Sequence, residues 1–363
     1  MNSSKKSAPF LLLHLNPSHR GQTVLTALRS LLPESSWGQV RRQVESRHLQ
    51  INGNLCCDPA RKLQGNEVLK WWREALPKPV EPKDLKIPYF DSHLLVVEKP
   101  AGITSVRHFE ERDLPARRRQ LQPTLEELLP LALQLQLGGR ASSRSSPPPG
   151  SRGQRDGRKS GSSSRSQLPR VIAVHRLDRD TSGLMLFART QQAQRALEEL
   201  FRHHRVDRRY RAVIHGQIVS QTIQSVLVRD RGDGVRGSGS PEDPSAQQAI
   251  THVKPVETFR GGQYSMVECQ LETGRTHQIR IHLAEAGHRI CGEPIYNRSL
   301  HGKPIEDLSG APRQALHSYS LRLVHPFTSQ TLEFSMPWPR DLDRWIRRLR
   351  TGEVGKPSDE SIG

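Results

Sequence analysis

The chain has 363 residues and carries 55 lysines and arginines against 37 aspartates and glutamates, a formal net charge of +18. That length exceeds one small domain, and a basic excess spread along the whole chain points to a phosphate backbone as partner, with affinity that falls as salt rises. No apolar run approaches the roughly 18 residues needed to span a bilayer, and no basic amphipathic helix marks a membrane surface.

Four cysteines, Cys56, Cys57, Cys269 and Cys291, lack the C-x-x-C spacing of zinc or redox sites, which suits a reducing compartment. Lys5 and Lys6 precede an apolar run at 10–13, but His14 and Asn16 interrupt it and no small-residue cleavage site follows, so the protein reads as cytoplasmic. Residues 1–20 read as a flexible leader. Apolar periodicity then predicts two helices. The first, 23–32, turns Val24, Leu25, Leu28, Leu31 and Leu32 to one face; the second, 36–45, turns Trp37, Val40 and Val44 inward with Arg41, Arg42 and Arg47 outside. The alternating segment 48–53 ends on Asn52-Gly53, a hairpin signal, and 67–72 is the next strand. Two short helices, a hairpin and a line of arginines make residues 21–75 resemble the S-four-like, or alpha-L, RNA-binding domain. The plainer reading is a small α+β unit with a solvated basic face.

Pro- and Lys-rich residues 76–86 predict a stiff linker ahead of a second domain over 87–345. Residues 90–102 read as a turn, a buried strand and a tight Pro/Gly turn, with Lys99 where the strand ends; taken alone, Lys99 is an exposed lysine at a strand end. Residues 125–137 predict a helix that Pro130 can kink and that Gly138 and Gly139 stop. Residues 139–170 are Ser, Gly, Pro and Arg almost throughout and predict a disordered basic insertion, which either adds RNA affinity or is neutral. Thr190 is the expected N-cap of the next helix. Residues 208–216, 249–256 and 264–271 read as strands, with a second polar insertion at 229–245, and 346–363 reads as a flexible tail.

Two polar clusters interrupt this pattern. HRLDRDTSGL, starting at His175, lies between the apolar runs 171–174 and 184–188 and crowds more ionisable groups into a loop than a turn requires. TGRTHQIRIH, starting at Thr273, joins a sharp turn at Gly274 to a helix that Thr276 can cap, with Arg275 at the turn. His277, Arg280 and Ile281 share one helical face. His277 and His282 are five apart, which discounts a zinc pair.

With EKPAG, HRLDRDTSGL, RRYRAVIHG, LETGRTHQIRIHLAEAGHRICGEPIY and LHSYSLRLVHP in that order, residues 87–339 resemble the RluA-type family of RNA pseudouridine synthases. Arg209 stands where a lysine is common and Glu293 where an aspartate is usual. The resemblance implies an α+β fold, with a mixed, largely antiparallel sheet and flanking helices behind the small N-terminal α+β RNA-binding domain. It implies an isomerase that turns specific uridines of RNA into pseudouridine, with ribosomal RNA favoured over transfer RNA. No cofactor or metal is expected, no membrane partner, and the protein is expected to be a monomer. Asp178 matches the family's catalytic aspartate, as nucleophile or as base, and Tyr210 its active-site tyrosine, on which a flipped uracil can stack.

The chemistry adds expectations. A carboxylate in a partly closed site needs a cation within about 4–6 Å to stay ionised, and Arg275 is the expected partner. Ile279 and Leu184, with Gly183, are expected to wall the pocket against water. Arg176 either contacts a phosphate, fills the space the base leaves, or pairs locally with Asp180. His175, Thr181 and Lys99 complete the expected substrate-binding set. Two other classes compete: a non-catalytic RNA-binding or ribosome-assembly factor, which the charge equally explains, and a glycoside hydrolase, for whose second carboxylate Asp180 is the obvious candidate.

Overall fold

The computed structural model describes residues 10–52, 54–65, 67–76, 78–107, 121–142, 168–300 and 302–352. They form two compact units, one of the described residues within 1–81 and 107–124, the other of those within 82–106 and 125–352.

In the first unit β1 (Phe10–His14) is followed by α1 (Val24–Leu31), α2 (Trp37–Glu45), β2 (Leu49–Ile51), β3 (Asn54–Leu55) and β4 (Val68–Trp72), and the strands form a sheet in the order β1-β4-β2-β3. Each helix starts where a hydroxyl caps it. Thr23 accepts from the Thr26 N–H, and Ser36 from that of Gln39, whose side chain returns a bond to the Ser36 N–H. Val24, Ala27, Leu28, Val40 and Val44 then pack on Leu49, Ile51, Leu69 and Trp71.

Three expectations change here. The leader contains β1, paired along its length with β4 from Phe10↔Trp72 to His14↔Val68; five residues with three consecutive leucines show no alternation to read. Trp37 is 53% exposed, because as the first residue of α2 it overhangs the core that Val40 and Val44 reach. Arg47 is half-buried and its Nε donates to the Leu76 carbonyl at 3.1 Å. Gly53, half of the hairpin signal, lies outside the described residues.

The second unit contains β5 (Lys86–Phe90), β6 (Leu94–Lys99), α3 (Leu125–Ser142), β7 (Ile172–Ala173), β8 (Ser182–Ala188), α4 (Gln191–Arg202), β9 (Asp207–His215), β10 (Gln221–Val228), β11 (Gly237–Ser238), β12 (Gln247–Phe259), β13 (Tyr264–Leu271), α5 (Gln278–Glu285), β14 (Leu316–Val324), β15 (Thr331–Ser335) and α6 (Arg340–Thr351). One 11-stranded sheet runs β11-β10-β12-β13-β9-β14-β8-β6-β5, with β15 beside β14 and β7 beside β8. β14 and β8 pair in parallel; the other pairs are antiparallel, as expected of the mixed sheet. At that parallel junction Gly183 has φ +129° and a Cβ there would stand 2.2 Å from the Ser318 carbonyl oxygen, so only glycine lets the two backbones meet. Leu94, Val96, Leu184, Leu186 and Ala188 pack with Ala193 and Leu197 of α4 and Leu321 and Leu323 of β14. Thr190 caps α4, accepting from the Ala193 N–H at 3.0 Å.

α3 passes through Gly138 and Gly139 to Ser142, since a helical glycine costs only about 1 kcal/mol. Residues 143–167 of the expected insertion lie outside the described residues. The first residues of the expected tail, 346–351, are helical instead. α6 continues to Thr351, with Leu342, Trp345, Ile346 and Leu349 buried at helical spacing beneath its arginines. Among the described residues no helix is long and apolar enough to cross a membrane.

Candidate active site

The loop between β7 and β8 is gripped by the end of β6 and the turn after it. Lys99 is fully buried, and its Nζ donates to the carbonyls of Pro100, Asp178, Arg179 and Thr181 at 3.2, 3.0, 2.9 and 2.7 Å. Burial draws its pKa down to about 7, while the carbonyl cage favours the ammonium, which has the most hydrogens to offer it. Ser105 Oγ donates to the Leu177 carbonyl at 2.7 Å and accepts from the Leu177 N–H at 3.1 Å. Gly102 N donates to the Arg179 carbonyl at 2.8 Å, and Arg179 Nε returns a bond to the Gly102 carbonyl at 3.1 Å. Lys99 is thus a tether beneath the loop, neither exposed nor lining the cleft.

On the tethered loop Asp178 is 16% exposed and accepts from Arg280 Nη1 at 3.2 Å, with His277 Nε2 3.9 Å from its other oxygen. Arg280 Nε and Nη2 hold Glu293 in a bidentate pair at 2.8 and 2.7 Å. Burial works against the Arg280 charge, and Glu293 and Asp178 more than offset it, so its pKa is raised. Glu293, 4% exposed, also accepts from Gln314 Nε2 at 2.9 Å and from the N–H groups of Ile295 and Tyr296 at 2.9 and 3.2 Å. His277 Nδ1 is hydrogen-bonded to the Tyr296 hydroxyl at 2.7 Å, and burial lowers the His277 pKa.

Arg275 is therefore not the partner of Asp178. It is exposed on the same cleft, and its Nε donates to the Gln248 carbonyl at 3.0 Å. The turn is built differently from the capped helix expected of Thr276. His277 takes the N-cap position at φ +61° without a side-chain cap. Gln278 does the joining: its Oε1 accepts from Arg275 N and Thr273 Oγ1 at 2.9 and 2.8 Å, and its Nε2 donates to the Ile250 carbonyl and Thr251 Oγ1 at 2.9 and 3.0 Å. Arg275 is left on the turn's outer side and Arg280, in the first turn of α5, points at the loop. The face shared by His277, Arg280 and Ile281 held that signal.

A cleft of about 580 Å³ opens in front of Asp178. Tyr210 of β9 lines it, 5% exposed, with burial raising its pKa. Ile279 and Thr181, both buried, line it too, the Thr181 hydroxyl having no hydrogen-bond partner among the described residues. Arg176 lies exposed on the rim, without an ion pair to Asp180 among the described residues. Arg208 and Arg202 add positive charge to the lining.

Two expected lining residues serve structure. His175 borders the cleft, but its Nε2 accepts from the Leu186 N–H at 2.9 Å, its ring packs on Phe201 at 4.8 Å, and burial pulls its pKa down to about 3, so it is a neutral prop of the loop. Leu184 is 1% exposed within the core beside Leu94 and Leu186 and does not line the cleft. Asp180, the second carboxylate expected of a hydrolase, is exposed and does not line the cleft, and Glu293, which shares Arg280 with Asp178, has both oxygens occupied. Among the described residues no His, Cys, Asp and Glu cluster could hold a metal.

Residues 93–285 match the family model described as RNA pseudouridylate synthase. Proteins named ribosomal large subunit pseudouridine synthase D are similar over most of the chain. That of Neisseria meningitidis serogroup A is 32% identical over 348 residues, 92% of this chain and 80% of its own. That of Xanthomonas campestris pv. campestris is 31% identical over 346 residues, 92% and 90%, and that of Escherichia coli O157:H7 is 29% identical over 344, 91% of each. Among solved structures, the human protein titled RNA pseudouridylate synthase domain containing 4 shares the fold, with a TM-score of 0.51 at 21% identity, over 73% of this chain and 92% of that one.

Proposed function

The chain belongs to the RNA pseudouridylate synthase family, and from that premise we propose that it converts specific uridines of large-subunit ribosomal RNA to pseudouridine, as a cytoplasmic monomer, with Asp178 as the reacting carboxylate. The names of its relatives support the choice of RNA. The observation that carries the site assignment is the Asp178–Arg280 pair at 3.2 Å in a cleft that Tyr210 also lines.

The reaction breaks the N1–C1′ bond of uridine, turns the uracil and forms the C5–C1′ bond, with the hydrogen of C5 lost and one gained at N1, so atoms balance without a cofactor. The uridine must leave its stack to enter the cleft, at a cost of a few kcal/mol. Stacking on Tyr210, about 1–3 kcal/mol for a base on an aromatic ring, offsets much of it. Asp178 acts at the sugar or the uracil as nucleophile or base, oriented by its bond from Arg280 at 3.2 Å, while Ile279 keeps one wall apolar. Arg176, Arg202, Arg208 and Arg275 bring positive charge to the phosphates around the flipped nucleotide. The N-terminal unit, S-four-like in its two helices and with Arg41 and Arg42 exposed on α2, adds RNA affinity.

The test is Asp178→Asn assayed on ribosomal RNA from cells lacking the protein. Pseudouridine formation is abolished while RNA affinity stays within about twofold of wild type. Retained isomerisation would remove Asp178 from the chemistry, and a wild type that modifies no RNA would leave the non-catalytic RNA-binding factor.

A further inference from the structure

Two adjacent residues leading into β14 bond the supports of the two halves of the Asp178–Arg280 pair. Arg313 faces the loop: its Nη1 donates to the Asp180 carbonyl and its Nη2 to Ser182 Oγ, both at 3.3 Å. Gln314 faces the cation's support: its Nε2 donates to Glu293 Oε2 at 2.9 Å, and Glu293 holds Arg280 through two bonds. The backbones join the same frame. A Cβ on Gly292 would stand 2.2 Å from the Arg313 carbonyl oxygen, so the residue before Glu293 is pressed against the segment that carries Gln314.

The frame is anchored by the C-terminal helix. Arg313 Nε and Nη2 also donate to the Asp341 carboxylate at 2.6 and 3.2 Å, in the first turn of α6. α6 is itself fixed by its buried stripe and by Trp345, whose Nε1 donates to the Ser309 carbonyl at 3.0 Å. Ser182, gripped by Arg313, is further bonded to His317 Nδ1 at 3.0 Å on β14. None of Arg313, Gln314 or Asp341 lines the cleft.

We propose that Arg313 and Gln314 are positioning residues that set the separation and direction of the Asp178–Arg280 pair, and that α6, through Asp341, holds Arg313 in place. This rests on the assignment of Asp178 as the reacting group. Removing Gln314 frees one side of Glu293 and so of Arg280; removing Arg313 frees the Asp180 carbonyl and the Ser182 hydroxyl, two groups of the loop that Lys99 does not hold. Misplacing a reacting group by about 1 Å can slow a reaction on the order of 100-fold.

The test uses the full chain with the RNA that the wild type modifies, under single-turnover conditions with enzyme saturating. There the rate constant reports the geometry of the folded enzyme and not how much of the sample is folded. Gln314→Leu and Arg313→Met are expected to lower that rate constant about 10- to 100-fold with RNA affinity unchanged, Arg313→Lys to recover part of the loss through its one charged donor, and Asp341→Asn to give a smaller loss. Rate constants within twofold of wild type overturn the proposal, whether or not the variants are less stable, as does a loss that follows RNA affinity. If Asp178→Asn retains activity in the same assay, the assignment of Asp178 fails instead, and the two failures are told apart.

Discussion

Arg280 divides its guanidinium between two carboxylates, giving Nη1 to Asp178 at 3.2 Å and Nε and Nη2 to Glu293 at 2.8 and 2.7 Å. Glu293, buried and doubly held, fixes the plane of the guanidinium; Asp178, on the cleft side, receives a bond from the third nitrogen, Nη1.

Arg280→Met leaves Glu293 buried without a counter-charge. Breaking a buried pair from one side costs about 3–5 kcal/mol, so denaturant unfolding should show a loss of that order together with lost activity. The double variant Arg280→Met with Glu293→Gln should regain part of the stability and none of the activity. A single variant as stable as wild type would show that Glu293 does not depend on Arg280.

Arg275 and Arg280 separate binding from chemistry. Arg275 is exposed, so Arg275→Ala should weaken RNA binding and flatten its dependence on salt by about one ion in the log–log slope, with the single-turnover rate at saturation nearly unchanged. A large fall in that rate would place Arg275 at the reacting atoms.

Gly183→Ala tests the parallel junction of β8 and β14. The added methyl meets the Ser318 carbonyl oxygen at 2.2 Å and its nitrogen at 2.6 Å, at a φ of +129°. Because both obstacles are backbone, neither can rotate away. The variant should be recovered as insoluble protein, or destabilised by more than about 3 kcal/mol as measured by urea unfolding.

Burial holds three histidines neutral in the folded protein, pulling the pKa of His175 to about 3 and those of His282 and His317 to about 4. Unfolded, each titrates near 6.5. Between about pH 6.5 and 4 the unfolded chain therefore binds protons that the folded one does not, and stability falls as the pH falls through that window while these groups add no slope above it. Urea midpoints measured at pH 7 and pH 5 should show the drop, and His317→Asn should lessen it by the share of one proton. A protein equally stable at both values would contradict the burial of these rings.

In the catalytic unit β5, β10, β11, β14 and β15 were not read. The strands β6, β7, β8, β9, β12 and β13 were legible, β13 to the residue at Tyr264–Leu271, from alternation as in the first half of β9 or from short apolar runs as in β8. The Asp178 loop was legible for the opposite reason, as polar residues that no packing pattern would select. The partner of Asp178 was not. Arg275 and Arg280 lie in one motif, and choosing between them requires knowing that His277 enters α5 in a left-handed conformation, which no residue type announces. Lys99 misled because a lysine at a strand end is ordinarily solvated, and its cage of carbonyls is assembled from residues about 80 positions away. Glu293 was noticed only as a departure from the usual aspartate and Gln314 not at all, since their importance comes from the guanidinium they support.

Lys99 has a thermodynamic consequence. A loop whose carbonyls converge on one interior nitrogen, and whose flanks are bonded to Ser105 and Gly102, has little freedom left to lose. Little conformational entropy is then surrendered at Asp178 when RNA arrives, and the ordering that association demands falls on the nucleic acid.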